Sequence, residues 1–506
     1  LKAQNVAEEP SPGRQADYRA EAARVKRERF GQVASLLLSP HGRDDPLRLQ
    51  NAMMRTALPH FGDASAHRLQ PVRWTLGNGT VAEFEPLPIP LNIGGGPPGP
   101  GLMRSALAGG ALMPVQAAAA GAAGSDEVKL APGVPVGALL VSGDMEVSGM
   151  GTVTWVDGDR VAAFGHPLFG AGDVDLPLIL GRAQTVVPSI YRSFRLSTAE
   201  RVIGRIIQDR DSGVVGRLGE TAPMFPCRVR VSGPVEEQYD YQVAGFWQTA
   251  PLFTFYAVAA SSARWQGQGG RYTLEAKAEI ALKDRPEPLV LRNVFVGRSA
   301  LLPSFQLVDL PLSALLTNPF KEVEVESVDY GLNIREGFEA AVIESVTADR
   351  LRAEPGTEVT LLVTLRKWRG DEVTEEVGLS IPETARPGTD VEVLVCDAVT
   401  STMVDARLDP GFFAPMSFEH LVDMLERIES NRNLVVRASF VEQGLRYAGE
   451  PLPTLPTSAL NILQFGGAGR VRQLISDQLE AVPTPYVLTG SQTVTIRIVE
   501  PEPYNP

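Results

Sequence analysis

The chain has 506 residues, 44% hydrophobic and 21% charged; this is apolar enough for sizeable cores in about three domains and too apolar for a disordered chain. Its 47 Lys and Arg against 60 Asp and Glu leave a formal charge of −13, a sign that repels a phosphate backbone, so no nucleic-acid partner is expected. Only two cysteines occur, Cys227 and Cys396, and neither sits in a Cys-x-x-Cys pair, which excludes a structural zinc site on ligand count.

Residues 1–68 read as a helical N-terminal segment. Over 15–38 the residues Tyr18, Ala22, Val25, Phe30, Val33 and Leu37 share one face, the pattern of a surface helix packed on a body. A second helix is expected at Leu47–Leu58. Residues 69–127 read as strands and a Gly/Pro/Ala-rich linker. Alternation over 69–92 is interrupted by Asn78-Gly79, a hairpin turn between Trp74 and Val81. The run Gly94–Pro100 lacks the Lys and following helix of a phosphate loop. The tract 108–124 reads as a poorly ordered connection. Gly101–Gly124 contains Arg104 and is mostly Ala and Gly, too interrupted to cross a bilayer, so no transmembrane segment is expected.

Residues 128–335 change texture. Short β-prone runs alternate with Gly: Val136–Val141, Thr152–Val156, Arg160–Phe164, Ala183–Val187, Val202–Gln208, Val214–Val215 and Cys227–Val231. This predicts a strongly curved, barrel-like sheet with tight corners. More strands are expected to about Val296, including Ala257–Trp265 and Tyr272–Ile280 on either side of a Gly267–Gly270 turn. Residues 336–400 alternate with period two at Val342–Val346, Val359–Leu365, Val373–Leu379 and Asp390–Val395, which predicts a β-sandwich. Residues 401–506 read as a small α+β domain. Ser417 caps a helix with an apolar face of Leu421, Leu425 and Ile428. A strand follows at Leu434–Phe440, then a hairpin of Tyr486–Thr489 and Thr493–Val499 that turns at Gly490-Ser491. The expected fold class is mainly β with some α.

One segment carries motifs. Ala131-Pro132-Gly133 and Gly143-Asp144 lead to Gly151-Thr152-Val153-Thr154, then Phe164-Gly165-His166-Pro167. Pro188-Ser189, Ser193-Phe194, Gln208-Asp209-Arg210 and Gly213-Val214-Val215-Gly216 follow in order. Over roughly residues 130–235 this resembles the SpoIVB-type serine peptidase family. The resemblance implies a curved β peptidase core, hydrolysis through an acyl-enzyme, a protein or peptide substrate, and His166 as the catalytic base. It also implies a nucleophile in a Ser-Gly-Ser-Pro motif, which this sequence does not contain. In the longer relatives that motif precedes the His segment, so it is expected upstream of Leu1, and the missing N-terminal part of the same protein is an expected partner.

The chemistry explains the interest in His166. A serine hydroxyl is a poor nucleophile at neutral pH and needs an adjacent imidazole to take its proton. Gly165 lets the backbone turn closely, and Pro167 stiffens the corner. Asp144 and Asp209 are candidates to orient the ring, although Asp209 beside Arg210 fits an ion pair or a turn. Ser189 and Ser193 fit hydrogen-bonding roles at strand ends. Asp173 and Asp175 lie near His166, but His41, His60, His67 and His420 have no ligand spacing and no His-Glu-x-x-His occurs, so neither metal nor cofactor is expected.

Two functional expectations result. One is the histidine-bearing part of a serine endopeptidase, inactive as an isolated chain. The other is a non-catalytic cell-envelope binding or scaffold protein that keeps the peptidase fold. Either favours a periplasmic or extracytoplasmic setting.

Overall fold

Seven successive residues of Pro135–Gly143, from Pro135 to Val141, are buried. An unbroken apolar strand of this kind has both faces covered, unlike the alternating strands further on. It is the hub of the first of two compact units. The computed structural model describes residues 20, 23–31, 72–75, 81–84, 89–95, 112–116, 128–187, 194–262, 271–297, 301–408, 415–447, 450–452 and 471–500. Unit 1 comprises residues 1–292, 298–335 and 411–427, and unit 2 comprises 293–297, 336–410 and 428–506.

Unit 1 opens with helical residues 23–31. Trp247 lies under Lys26 at 5.2 Å and under Arg29 at 5.0 Å, and Phe30 meets Phe320 edge-on at 6.0 Å. These contacts hold the expected surface helix on the body. The strands β1 (Val72–Thr75) and β2 (Val81–Phe84) pair antiparallel, as Asn78-Gly79 predicts. Next come β3 (Ile89–Gly95) and β4 (Leu112–Gln116), which pair in parallel at the edge of the main sheet. The expected loose connection 108–124 therefore contains a strand. Composition there is dominated by Ala and Gly, and the short apolar run around Pro114 gains its partner only from β3; Pro is tolerated on such an edge.

The six strands that follow are β5 (Pro135–Gly143), β6 (Met145–Asp157), β7 (Arg160–Ala163), β8 (Gly172–Val187), β9 (Phe194–Arg210) and β10 (Gly213–Leu218). β5 pairs with β6 on one edge and β8 on the other; β8 pairs with β9, β9 with β10, β10 with β7 and β7 with β6. The pairings close into a ring, which removes the free edges of these strands. Register shifts at Leu139/Val141, Val153/Trp155 and Val215/Gly216, with more along β8 and β9, bend the strands round it. Gly204 faces Arg217 so closely that an added Cβ would lie 2.0 Å from its carbonyl oxygen.

The far end of β5 continues into a second set of strands. There β12 (Glu237–Ala244) pairs with β5, β11 (Met224–Ser232) with β12, and β15 (Val325–Glu336) runs parallel to β11, followed outward by β13 (Tyr272–Leu282) and β14 (Arg285–Val296). Against it pack α1 (Ala250–Ser261) and α2 (Leu301–Thr317). The described residues of the run expected as a strand, Ala257–Trp265, thus belong largely to a helix. All of α1 except Ala260 is buried, so no polar face marks its period, and Pro251 in its first turn fits a helix start. Tyr241 and Tyr330 anchor the two helices through Ser261 Oγ at 2.8 Å and the Ser304 carbonyl at 3.0 Å.

Unit 2 is a sandwich. One sheet holds β16 (Ala340–Ala348), β18 (Glu358–Lys367), β19 (Glu372–Ser380) and β24 (Val487–Thr489); the other holds β17 (Arg352–Ala353), β20 (Asp390–Cys396), β21 (Asn433–Tyr447), β22 (Glu450–Leu452), β23 (Val471–Pro483) and β25 (Ser491–Ile498). Val359, Leu361, Val363 and Leu365 pack with Val391, Val393, Val395 and Val436 in one core. The boundary read at residue 400 falls inside this body, because β20 pairs with both β21 and β25. Two helices lie nearby in sequence: α3 (Ala398–Leu408), and α4 (Phe418–Glu426), which belongs to unit 1. Ser417 caps α4 as expected, accepting the His420 N–H at 3.0 Å. The expected terminal hairpin is not one. β24 pairs in parallel with β16, and β25 pairs with β20, so the chain crosses from one sheet to the other at Gly490, whose φ is 99°.

Candidate active site

The Gly-Thr-Val-Thr run of β6 pairs with β7, Val153 opposite Ala163, and the chain then turns sharply. The Gly165 N–H donates to the Ala163 carbonyl at 2.9 Å across a three-residue turn centred on Phe164, whose φ is +72°. That is the rare, strained hand of this turn. Gly165 follows at φ +73°, which a side chain would resist. The strain at Phe164 is offset by where its ring goes. It packs onto the bare Cα of Gly151, where an added Cβ would lie 2.5 Å from the ring. The Phe164 N–H donates to the Thr152 carbonyl at 2.9 Å.

This corner presents His166 to solvent. Its ring stands edge-on to Phe164, with centroids 5.9 Å apart at 78°. Nδ1 lies 2.8 Å from the Pro167 carbonyl oxygen. A carbonyl only accepts, so in this arrangement Nδ1 carries the proton and Nε2 is the basic nitrogen of the neutral ring. The ring is thus exposed, oriented, and set in the tautomer that a general base requires.

After His166 the chain is pinned from below. Leu168 and Phe169 are buried, and Leu168 packs against Gly149. Asp209 at the end of β9 is 1% exposed. Its Oδ1 accepts the Leu168 N–H at 2.7 Å, and its Oδ2 accepts the Phe169 N–H at 2.6 Å and the Ala171 N–H at 3.4 Å. Burial pushes this carboxyl above the usual Asp range, against the opposing pull of the N–H groups of Phe169, Leu168, Ala171 and Gly170.

The other candidates are dispersed. Asp144 accepts the Asp240 N–H at 2.7 Å and fastens the β5–β12 junction. Arg210 pairs with Asp173 at 2.6 Å, and Arg205 with Asp175 at 3.3 Å. Asp209 itself takes the turn role, holding the backbone N–H groups of Leu168, Phe169 and Ala171. Ser189, Ser193, His41, His60 and His67 lie outside the described residues, and His420 sits in the first turn of α4. Among the described residues no group of three or more His, Cys, Asp or Glu is arranged to hold a metal ion, and no helix is long and apolar enough to cross a membrane. Cys227 and Cys396 are both buried free thiols, each pushed up to about 12 by burial.

No family model, curated protein or solved structure matches this chain. The site is therefore read from its geometry. Two of its parts escaped the sequence reading: the Phe164 ring seated on Gly151, and the Pro167 carbonyl as partner of Nδ1. The first had a visible signal, a large residue before Gly-His opposite a glycine on the preceding strand. The second had none.

Proposed function

We propose that this chain is the histidine-bearing part of a serine endopeptidase of the SpoIVB type that acts on a protein substrate. His166 is its general base, and the serine comes from residues outside the chain. The observation that carries the reading is the exposed His166 ring with Nδ1 bonded to the Pro167 carbonyl, which leaves Nε2 to accept a hydroxyl proton. The order of the motifs from Gly151 to Gly216 agrees with it. In the reaction the serine oxygen bonds to the scissile carbonyl carbon as its proton moves to Nε2. The amine then leaves with that proton, and water repeats the sequence to free the enzyme.

The test uses the complete protein encoded by the native gene, treated with a fluorophosphonate probe. Phosphonylation of a single serine, found by mass spectrometry in a Ser-Gly-Ser-Pro setting, supports the reading. A complete protein that takes up no probe favours the non-catalytic cell-envelope binding role instead.

A further inference from the structure

We propose that Asp209 is a positioning residue for His166, acting through the single peptide group between Pro167 and Leu168. The proposal rests on the reading of His166 as a base. The carbonyl that accepts the His166 Nδ1 proton, 2.8 Å away, belongs to Pro167. The N–H of the same peptide group belongs to Leu168, and it donates to Asp209 Oδ1 at 2.7 Å. A trans peptide is planar, with its C=O and N–H pointing in opposite directions, and the described residues contain no cis peptide. Carboxylate, peptide and imidazole therefore form one chain of hydrogen bonds. A carboxylate on the N–H side polarises the peptide and makes its oxygen a stronger acceptor. The usual contact between carboxylate and imidazole is here relayed by one amide.

The surroundings agree with that role. Asp209 is buried, so its bond to Leu168 is little screened. Its second oxygen fixes Phe169 and Ala171, and Gly170 between them has φ +66°. The loop cannot tilt the Pro167 carbonyl without breaking bonds to Asp209. Arg210 is engaged by Asp173 on the neighbouring strand.

The readout is the His166 ring in the 506-residue chain, followed by nitrogen NMR of labelled histidine. In Asp209→Asn we expect the ring to lose its preference for the Nδ1-protonated tautomer. In the complete protein, fluorophosphonate labelling should slow at least tenfold. Should Asp209→Asn fail to fold, Gly170→Val keeps the carboxyl group but strains the loop that Asp209 holds, at φ +66°, and should move the ring signals the same way. A folded variant of either kind whose His166 tautomer ratio matches the wild type overturns the proposal. Absence of labelling in the wild type would instead remove the peptidase reading, while the ring signals still decide the role of Asp209.

Discussion

The ring of Phe164 rests on the Cα of Gly151, leaving no room for a methyl group: a Cβ there would sit 2.5 Å from ring carbon Cγ. This seat joins β6 to the turn after β7 and so joins a glycine of the strand motif to the histidine fifteen residues on. Gly151→Ala should force the ring out or the strand apart. A cost of about 1–3 kcal/mol is expected, the range for overpacking, together with altered His166 ring signals. Urea unfolding and histidine NMR check both; an alanine variant as stable as wild type would contradict the packing described.

His166 itself is exposed, and among the described residues it meets the Pro167 carbonyl and, edge-on, Phe164. His166→Ala should therefore leave stability within about 0.5 kcal/mol. Equilibrium denaturation measures this, and a larger loss would assign the ring a structural role.

Asp309 on α2 is 2% exposed, and among the described residues its Oδ2 has no hydrogen-bond partner. Burial alone raises it to about 7 from an ordinary 3.8. A raised acid favours the folded state when protonated, so its contribution is whole below the unfolded value near 3.8 and is lost as pH rises through about 7. Between pH 5 and pH 8.5 unit 1 should lose about 2–3 kcal/mol that Asp309→Asn does not lose. Denaturation at the two pH values tests it; equal slopes in both proteins would refute it.

In unit 2 one carboxylate secures both the start of α3 and the crossing between sheets. Asp397 accepts the Thr400 N–H at 2.7 Å with one oxygen and the Gly490 N–H at 2.7 Å with the other. Asp397→Ala strips a helix cap and a strand connection together, and about 2 kcal/mol of destabilisation is expected. A loss well under 1 kcal/mol in urea titration would show that water replaces the carboxylate.

Much of this architecture was legible. Glycine-separated runs marked the strands of the ring, alternation marked those of the sandwich, and Ser417 marked its helix. What failed shares a cause: a partner distant in sequence decides the outcome. Ala257 and its neighbours gave an apolar run without a polar face, and burial on all sides let it be a helix. Gly490-Ser491 has the letters of a hairpin, yet β16 and β20 offered the flanking strands better edges. Closure of the ring depends on β5 meeting both β6 and β8, which no local pattern encodes. At the site, His166 stood out by its motif, but the amide that links it to Asp209 is backbone and leaves no trace in residue identity.

The most direct test of the central claim is the rate of fluorophosphonate labelling of the complete protein as a function of pH, beside the His166 titration read by NMR in the same sample. The account predicts that the rate rises with the neutral fraction of the His166 ring and falls at least a hundredfold in His166→Ala, the scale of general-base catalysis. Labelling that ignores the His166 titration, or survives its removal, would contradict it.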